Sequence, residues 1–381
     1  MSRPGNRPPR SLSLATAAIL ALLATPAGPS RAAADLDKEM TVVATQIKKL
    51  LDQKGQDSIA VGEFRGPAKL ASSAGPAIAK ALEDELRKMG VTCKRRAELE
   101  VNGEYRDVDD RKEKFLSVQI KAHVVDSKGT EVVAIEPRGI LNISTIASLI
   151  GVTVSLPADA DPKVRNEKLV EAVEKPSVHL ASTRIAADSQ SPYAIEVLVK
   201  VGNDFRPRAA TPDDDGFAFL KIKRGETYEV RLINDSPHDA AVTLTVDGLS
   251  VFAFSTNKGY THWIVPAKSS LTVPGWHGTN LVSDSFQVGE YSKSAAAEKL
   301  PSSASVGTIT AGFAAAWIKG SPPVDEGAKF KGERSSDATI RGPAVNTNFT
   351  EVVRDTGRLR ASVSVRYTKE ADPKNLPDSK P

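Results

Sequence analysis

His277 precedes Ser283-Asp284-Ser285 by a few residues, so a base, an acid and two hydroxyls share one short stretch. Acyl transfer through a nucleophile needs a Ser or Cys, a His that takes its proton and an acid that orients the His. No G-x-S-x-G elbow accompanies them, and the stretch reads as a turn between two strands. The five histidines are His123, His179, His238, His262 and His277, and none falls in an H-E-x-x-H or H-x-x-E-H pair, so the pattern implies no resident metal. Asp213, Asp214 and Asp215, followed by Gly216, form the densest acidic cluster. They are the one calcium candidate, but D-D-D-G lacks the alternation that points ligands at one centre, and a solvated turn is the plainer expectation. Cys93 is the single cysteine, so no intramolecular disulfide forms, and its setting in Val91-Thr92-Cys93 predicts a buried small hydrophobe. The adjoining Lys94, Arg95 and Arg96 would activate the thiol only if it were exposed. No Walker A or G-x-G-x-x-G run is present, so no nucleotide cofactor is expected.

Tyr260, His262, Trp263, Trp276 and His277 lie on two consecutive predicted strands joined by Pro266-Ala267-Lys268-Ser269. Alternation along a strand puts Tyr260 and His262 on one face and Trp263 on the other. Either Trp263 and Trp276 are core residues of a β-sandwich, or the five form a face that binds a partner or a glycan. Trp276 is out of phase with Leu271 and Val273, and a bulge at Pro274-Gly275 would return it to the core side.

The elements that must position these residues fall into two regimes. Leu36, Met40, Val43, Ile47, Leu50 and Leu51 recur at helical spacing and predict a helix over 36–54, stopped by Gly55. A strand follows at 58–64. A second helix opens at Pro76, with Ile78, Ala81, Leu82, Leu86 and Met89 on one face and Gly90 as stop. Strands are predicted at 91–94, 98–105, 115–125 and 130–135, the last two joined by a hairpin at Ser127-Lys128-Gly129. This order implies an α/β sandwich with a mixed sheet over residues 35–140. Residues 141–190 read as a linker with a short helix, because 141–156 is apolar but aperiodic. From Tyr193, short strands recur at 193–200, 216–222, 227–233, 241–246, 260–265, 270–276, 285–291 and 307–317, which predicts an all-β, immunoglobulin-like sandwich over 191–317. A linker (318–340), a C-terminal hairpin (341–368) and a disordered tail (369–381) complete an α+β, two-domain chain.

The chain has 381 residues, 51 of them Lys or Arg and 47 Asp or Glu. Arg3, Arg7, Arg10 and Arg31 account for the excess, because residues 1–34 hold no acid. The remainder is neutral, which removes any bulk electrostatic argument for nucleic acid. Arg3, Arg7 and Arg10, the apolar run 14–24 and Ala32-Ala33-Ala34 read as a signal peptide over 1–34, with the mature chain beginning near Asp35. The run is too short to span a bilayer, so no transmembrane segment is expected after cleavage, and the protein is expected to be periplasmic or secreted.

With the elements laid out, two resemblances appear. Residues 59–64 as first strand, 78–89 as helix, Val101-Asn102-Gly103-Glu104-Tyr105, and the hairpin 125–132 resemble the α/β envelope domain of curli-transport lipoproteins. The same pattern is similar to penicillin-binding-protein activators and to the N-terminal domain of the Tol translocation protein. The resemblance implies a non-catalytic assembly or interaction module. The lipidation cysteine of the lipoproteins is missing here. The second half, through 228–232, 244–250, Pro274-Gly275-Trp276, Phe286 and 307–310, resembles a β-sandwich module of exported bacterial proteins, a likeness that brings no activity with it. The expectation is therefore an exported, non-enzymatic interaction or assembly protein of the cell envelope, whose partner is another envelope protein or a cell-wall glycan. The alternatives are a secreted carbohydrate- or peptidoglycan-binding sandwich and, third, a hydrolase using Asp213–Asp215 or His277.

Overall fold

The computed structural model describes residues 21–24, 31–66, 74–110, 115–140, 142–246, 248–257, 259–289, 306–326 and 344–368. The molecule is mixed α/β and dominated by sheet, with four helices among the described residues and several sheets that close no barrel. The expected tail at 369–381 and most of the signal peptide lie outside the described residues.

The first layer is built as its periodicity demands. Helix α1 (Arg31–Lys54) buries Leu36, Met40, Val43, Ile47 and Leu51. It starts ahead of the expected cleavage point, so Asp35 falls within it. Helix α2 (Ala74–Lys88) buries Ile78, Ala81, Leu82 and Leu86 and starts two residues before Pro76. Gly55 and Gly90 both take positive φ at the stops. The helices cover one face of a five-stranded sheet whose spatial order is Thr92–Lys94, Ser58–Arg65, Leu99–Asp110, Phe115–Asp126, Glu131–Ile140. Its first three strands run parallel and the rest are antiparallel. The predicted hairpin turns on Asp126, whose carboxylate accepts from the amides of Lys128 at 2.8 Å and Thr130 at 2.9 Å.

Residues 141–190 differ from the linker expected. They carry two helices: α3 (Ile143–Ile150), capped by Asn142 and ended by Gly151 in the left-handed region, and α4 (Pro162–Glu174), capped by Asp161. Ile146, Ala147, Leu149, Ile150 and Leu169 belong to the same core as α1, α2 and the five-stranded sheet. The aperiodicity has a physical cause. Helix α3 buries Thr145, Ile146, Ala147, Leu149 and Ile150, so it has no wide polar face to set a period.

The second half contains two large sheets that share one core of alternating inward residues, among them Val197, Val230, Leu232, Val242, Leu244, Phe313, Val363 and Val365. The predicted strand over 270–276 is two strands, Ser269–Val273 and Gly275–Thr279, because Pro274 cannot donate to a ladder. The break replaces the expected bulge and sends Trp276 into the core.

The expected hairpin over 341–368 is not formed. Ala344–Asn346 pairs with Val282–Gln287, Phe349–Val352 pairs with Ala21–Ala24, and Asp355–Thr368 runs along Val306–Trp317. Residues 355–358, where such a hairpin would turn, instead belong to the last strand. The close approach of Glu326 to Gly357 leaves no room for a side chain there, since a Cβ would come within 2.4 Å of the carboxyl carbon. Within the expected linker at 318–340, Val324–Glu326 forms a 3-10 turn that buries Glu326.

Candidate functional site

The aromatic and histidine residues singled out by sequence are brought together, with their rings inside the protein. The Gly275–Thr279 and Val282–Gln287 strands pair so that His277 faces Ser283 and Trp276 faces Asp284. The amide of His277 donates to Val251 at 2.8 Å, which holds the strand against the 251–254 turn. Four rings then surround the imidazole of His277: Phe252 at 5.5 Å, Tyr260 at 5.4 Å, Trp263 at 5.9 Å and Phe349 at 5.8 Å between centroids. Trp276 lies in the neighbouring part of the core, edge-on to Phe254 and Phe286. His262 is buried and its Nδ1 lies 2.7 Å from the Thr261 hydroxyl.

The expectation that these five residues could form an exposed ligand face is therefore corrected. The core alternative holds for both tryptophans, which are buried in the core that the two large sheets share. Tyr260 and His262 precede the strand Trp263–Val265, so alternation does not govern them.

The electrostatics follow from burial. His277 is 0% exposed and desolvation pushes its pKa down to about 4. Burial alone does the same to His262. Both rings are neutral at pH 7. Neither nitrogen of His277 has a hydrogen-bond partner, and the Ser283 hydroxyl and the Trp263 indole N–H also lack one. The Asn280 side chain sits close enough to oppose the His277 shift without making a well-formed hydrogen bond to it. Triad geometry needs a nucleophile–base contact and a base–acid contact, and His277 makes neither. Asp284 faces Trp276 across the ladder, on the opposite side of the strand from Ser283. Ser283-Asp284-Ser285 lies inside a strand rather than in the turn the sequence suggested.

Elsewhere the candidates are structural. Asp213 uses one carboxylate oxygen to accept from the amides of Asp215 at 3.1 Å and Phe217 at 2.9 Å, closing a turn completed by Gly216 at φ 89°. No group of three His, Cys, Asp or Glu side chains that could hold a metal ion occurs among the described residues. Burial and the Glu83 carboxylate push the Cys93 thiol up to about 11, so the adjacent cations do not make it a thiolate at neutral pH. His238 lies 3.2 Å from the Tyr193 hydroxyl, and burial lowers its pKa.

The largest omission from the sequence reading is a charged cluster. Arg360 donates to both oxygens of Asp325 at 2.6 and 2.8 Å, and to buried Glu326 at 2.9 Å. Arg165, also buried, donates to the carbonyls of Leu156, Pro157 and Leu359. One of three arginines in an alternating strand and an Asp-Glu pair in a Gly/Pro-rich stretch carry no signal that they meet.

Comparison of the chain with family models, with curated proteins and with solved structures returned no match. No helix among the described residues is long and apolar enough to cross a membrane.

Proposed function

We propose that the chain is an exported, non-catalytic protein of the bacterial envelope that works by binding another envelope protein. The observation that carries this reading is where exposed apolar surface lies. Tyr260, Trp263 and Trp276 are withdrawn into the core, which counts against a sugar-stacking platform. Ile318 and Val353 project with 66% and 64% of their surface exposed, just beyond the register pair Trp317–Asp355. Exposed apolar residues at a sheet end suit a protein contact better than a glycan. The shared core of the two large sheets supports an immunoglobulin-like sandwich as the finer description of the second half. The order helix, strand, helix, then four strands supports the resemblance of residues 35–140 to envelope assembly domains.

The test is a photo-crosslinking residue placed at Val353 in the exported protein. Adducts with a discrete envelope protein are expected, lost when Ile318 is changed to Asp. Absence of protein adducts combined with retention on purified peptidoglycan would favour the glycan reading.

A further inference from the structure

One sheet edge ends in the order Asp239–Val246, Trp263–Val265, Ala21–Ala24, Phe349–Val352. The third strand belongs to the apolar run of the leader. It lies antiparallel to Trp263–Val265, with Leu22 opposite Ile264 and Leu23 opposite Trp263. It lies parallel to Phe349–Val352, from Ala21 opposite Phe349 to Ala24 opposite Val352. In an exported chain cleaved near Asp35, as proposed, this strand departs with the leader.

Both banks of its place are held by other contacts. Trp263–Val265 is laddered on its far side to Asp239–Val246. Phe349–Val352 is tied at one end by its Phe349 amide, which donates to Asn280 at 2.9 Å, and by the Thr347 amide, which donates to Leu281 at 2.8 Å. At its centre the Tyr260 hydroxyl donates to Glu351 at 2.6 Å. At the other end Val352 packs with Ile264, Ala241 and Ala316, and Arg354 donates to Asp239 at 3.2 Å. Beneath the place, the rings of Trp263 and Phe349 already meet with centroids 4.7 Å apart. Two strands flanking a third lie about 10 Å apart, so the banks cannot pair directly without breaking these ties.

Removing the leader strand therefore leaves two facing rows of unpaired amides and carbonyls, the template for strand addition. The chemistry of the banks selects the occupant. Arg354 is paired with Asp239, Glu351 keeps an exposed carboxylate that repels an acidic segment, and the strand Ala21–Ala24 that fills the place is itself uncharged and apolar. Leu281, 65% exposed, stands at one end, and Val353 and Ile318 stand at the other. We infer that the processed chain is a strand acceptor. An extended, uncharged apolar segment of a partner polypeptide inserts antiparallel to Trp263–Val265, and Ala21–Ala24 marks its position. The inference rests on the export reading. A second copy is disfavoured as donor, because its own matching strand is lost in the same cleavage.

The slot is tested in the full chain, independently of export, with Leu22→Pro combined with Leu23→Pro. Proline cannot donate to the ladder and expels the strand. Amide exchange at 263–265 and 349–352 is expected to rise by about tenfold or more, with the remainder unchanged. A synthetic peptide carrying residues 18–25 should restore protection, and the same peptide with Leu23→Pro should not. A variant that stays protected and ignores the peptide overturns the slot, and self-association of the variant in place of peptide binding overturns the heterologous partner. N-terminal sequencing of the exported protein separates the two readings. A start at Met1 overturns the export reading even if the peptide binds. A start near Asp35 with both segments protected and no peptide uptake overturns the strand acceptor alone.

Discussion

At the residue scale, the two buried imidazoles have a consequence that can be measured. Burial lowers His262 and His277 from 6.5 to about 4. In the unfolded chain both rings take up protons as pH falls through 6.5, and in the folded chain only near 4. The unfolded state thus binds more protons between these values, and stability falls with pH across that window. It is whole above pH 6.5 and is reduced by about 3 kcal/mol per ring once pH reaches about 4. His277→Phe keeps a ring among Phe252, Tyr260, Trp263 and Phe349 and removes one titration. Its stability should fall by less than the parent's between about pH 7.5 and about pH 4.5, the remaining loss coming from His262 and His238, which burial also lowers. Equal losses in variant and parent would mean that water reaches the ring. Trp276 gives a second test at this scale. It is buried edge-on to Phe254 and Phe286. Trp276→Ala should cost about 3–5 kcal/mol in urea denaturation through the cavity it leaves. A midpoint matching the parent's would mean that the ring is solvated.

At the element scale, the last strand is fixed by a buried ion cluster. Arg360 is buried in Asp355–Thr368 and meets Asp325 and Glu326 from the Val324–Glu326 turn. Arg360→Met strands the Glu326 carboxylate without its cation, and should cost about 3–5 kcal/mol. Glu326→Leu in the same chain removes the stranded charge, so the double variant should recover most of that loss. Thermal melts of the two single variants and the double variant form the cycle, and additive losses would show that the pair is uncoupled. Helix α1 was legible because it has one buried stripe and one wet face, and α2 because Lys80, Glu83 and Glu85, although buried, keep its apolar residues in a helical period. Helix α3 was not, because burial on several sides erases the period. The strand Asp355–Thr368 was half legible. Its alternation from Leu359 to Tyr367 was visible, but a local reading pairs it with its neighbour in sequence rather than with Val306–Trp317. The candidate site was legible as a set of residues, and its burial was legible only through the phase of Trp276 against Pro274.

At the scale of the whole molecule, the switch in composition at Tyr193 predicts two bodies joined by a linker, and the packing binds them more closely. The strand Asp355–Thr368 gives Leu359 to the first core and Ala361, Val363, Val365 and Tyr367 to the second. Its other face carries Ser362 and Ser364, and the neighbouring strand carries Thr308 and Thr310, all four buried. These small side chains are covered by the end of α3 and the segment after it. A Cβ on Gly151 would approach Thr308 and Ser364 at 3.2 and 3.3 Å, Val154 and Ser155 pair with Ser362 and Ala361, and Thr153 exchanges hydrogen bonds with Ser364. The outward face of the sheet is thus an interior surface, and the segment read as a linker is the layer that covers it. A true linker would be cut first by protease and would let the halves melt apart. Residues 142–175 should instead resist limited proteolysis, and calorimetry should give one transition whose calorimetric and van't Hoff enthalpies agree. Ser364→Arg places a long cation under that layer, where burying an unpaired charge is costly. It should expose 142–175 to protease at temperatures the parent tolerates. Early cleavage within that segment of the parent, or two separate transitions, would restore the picture of independent halves.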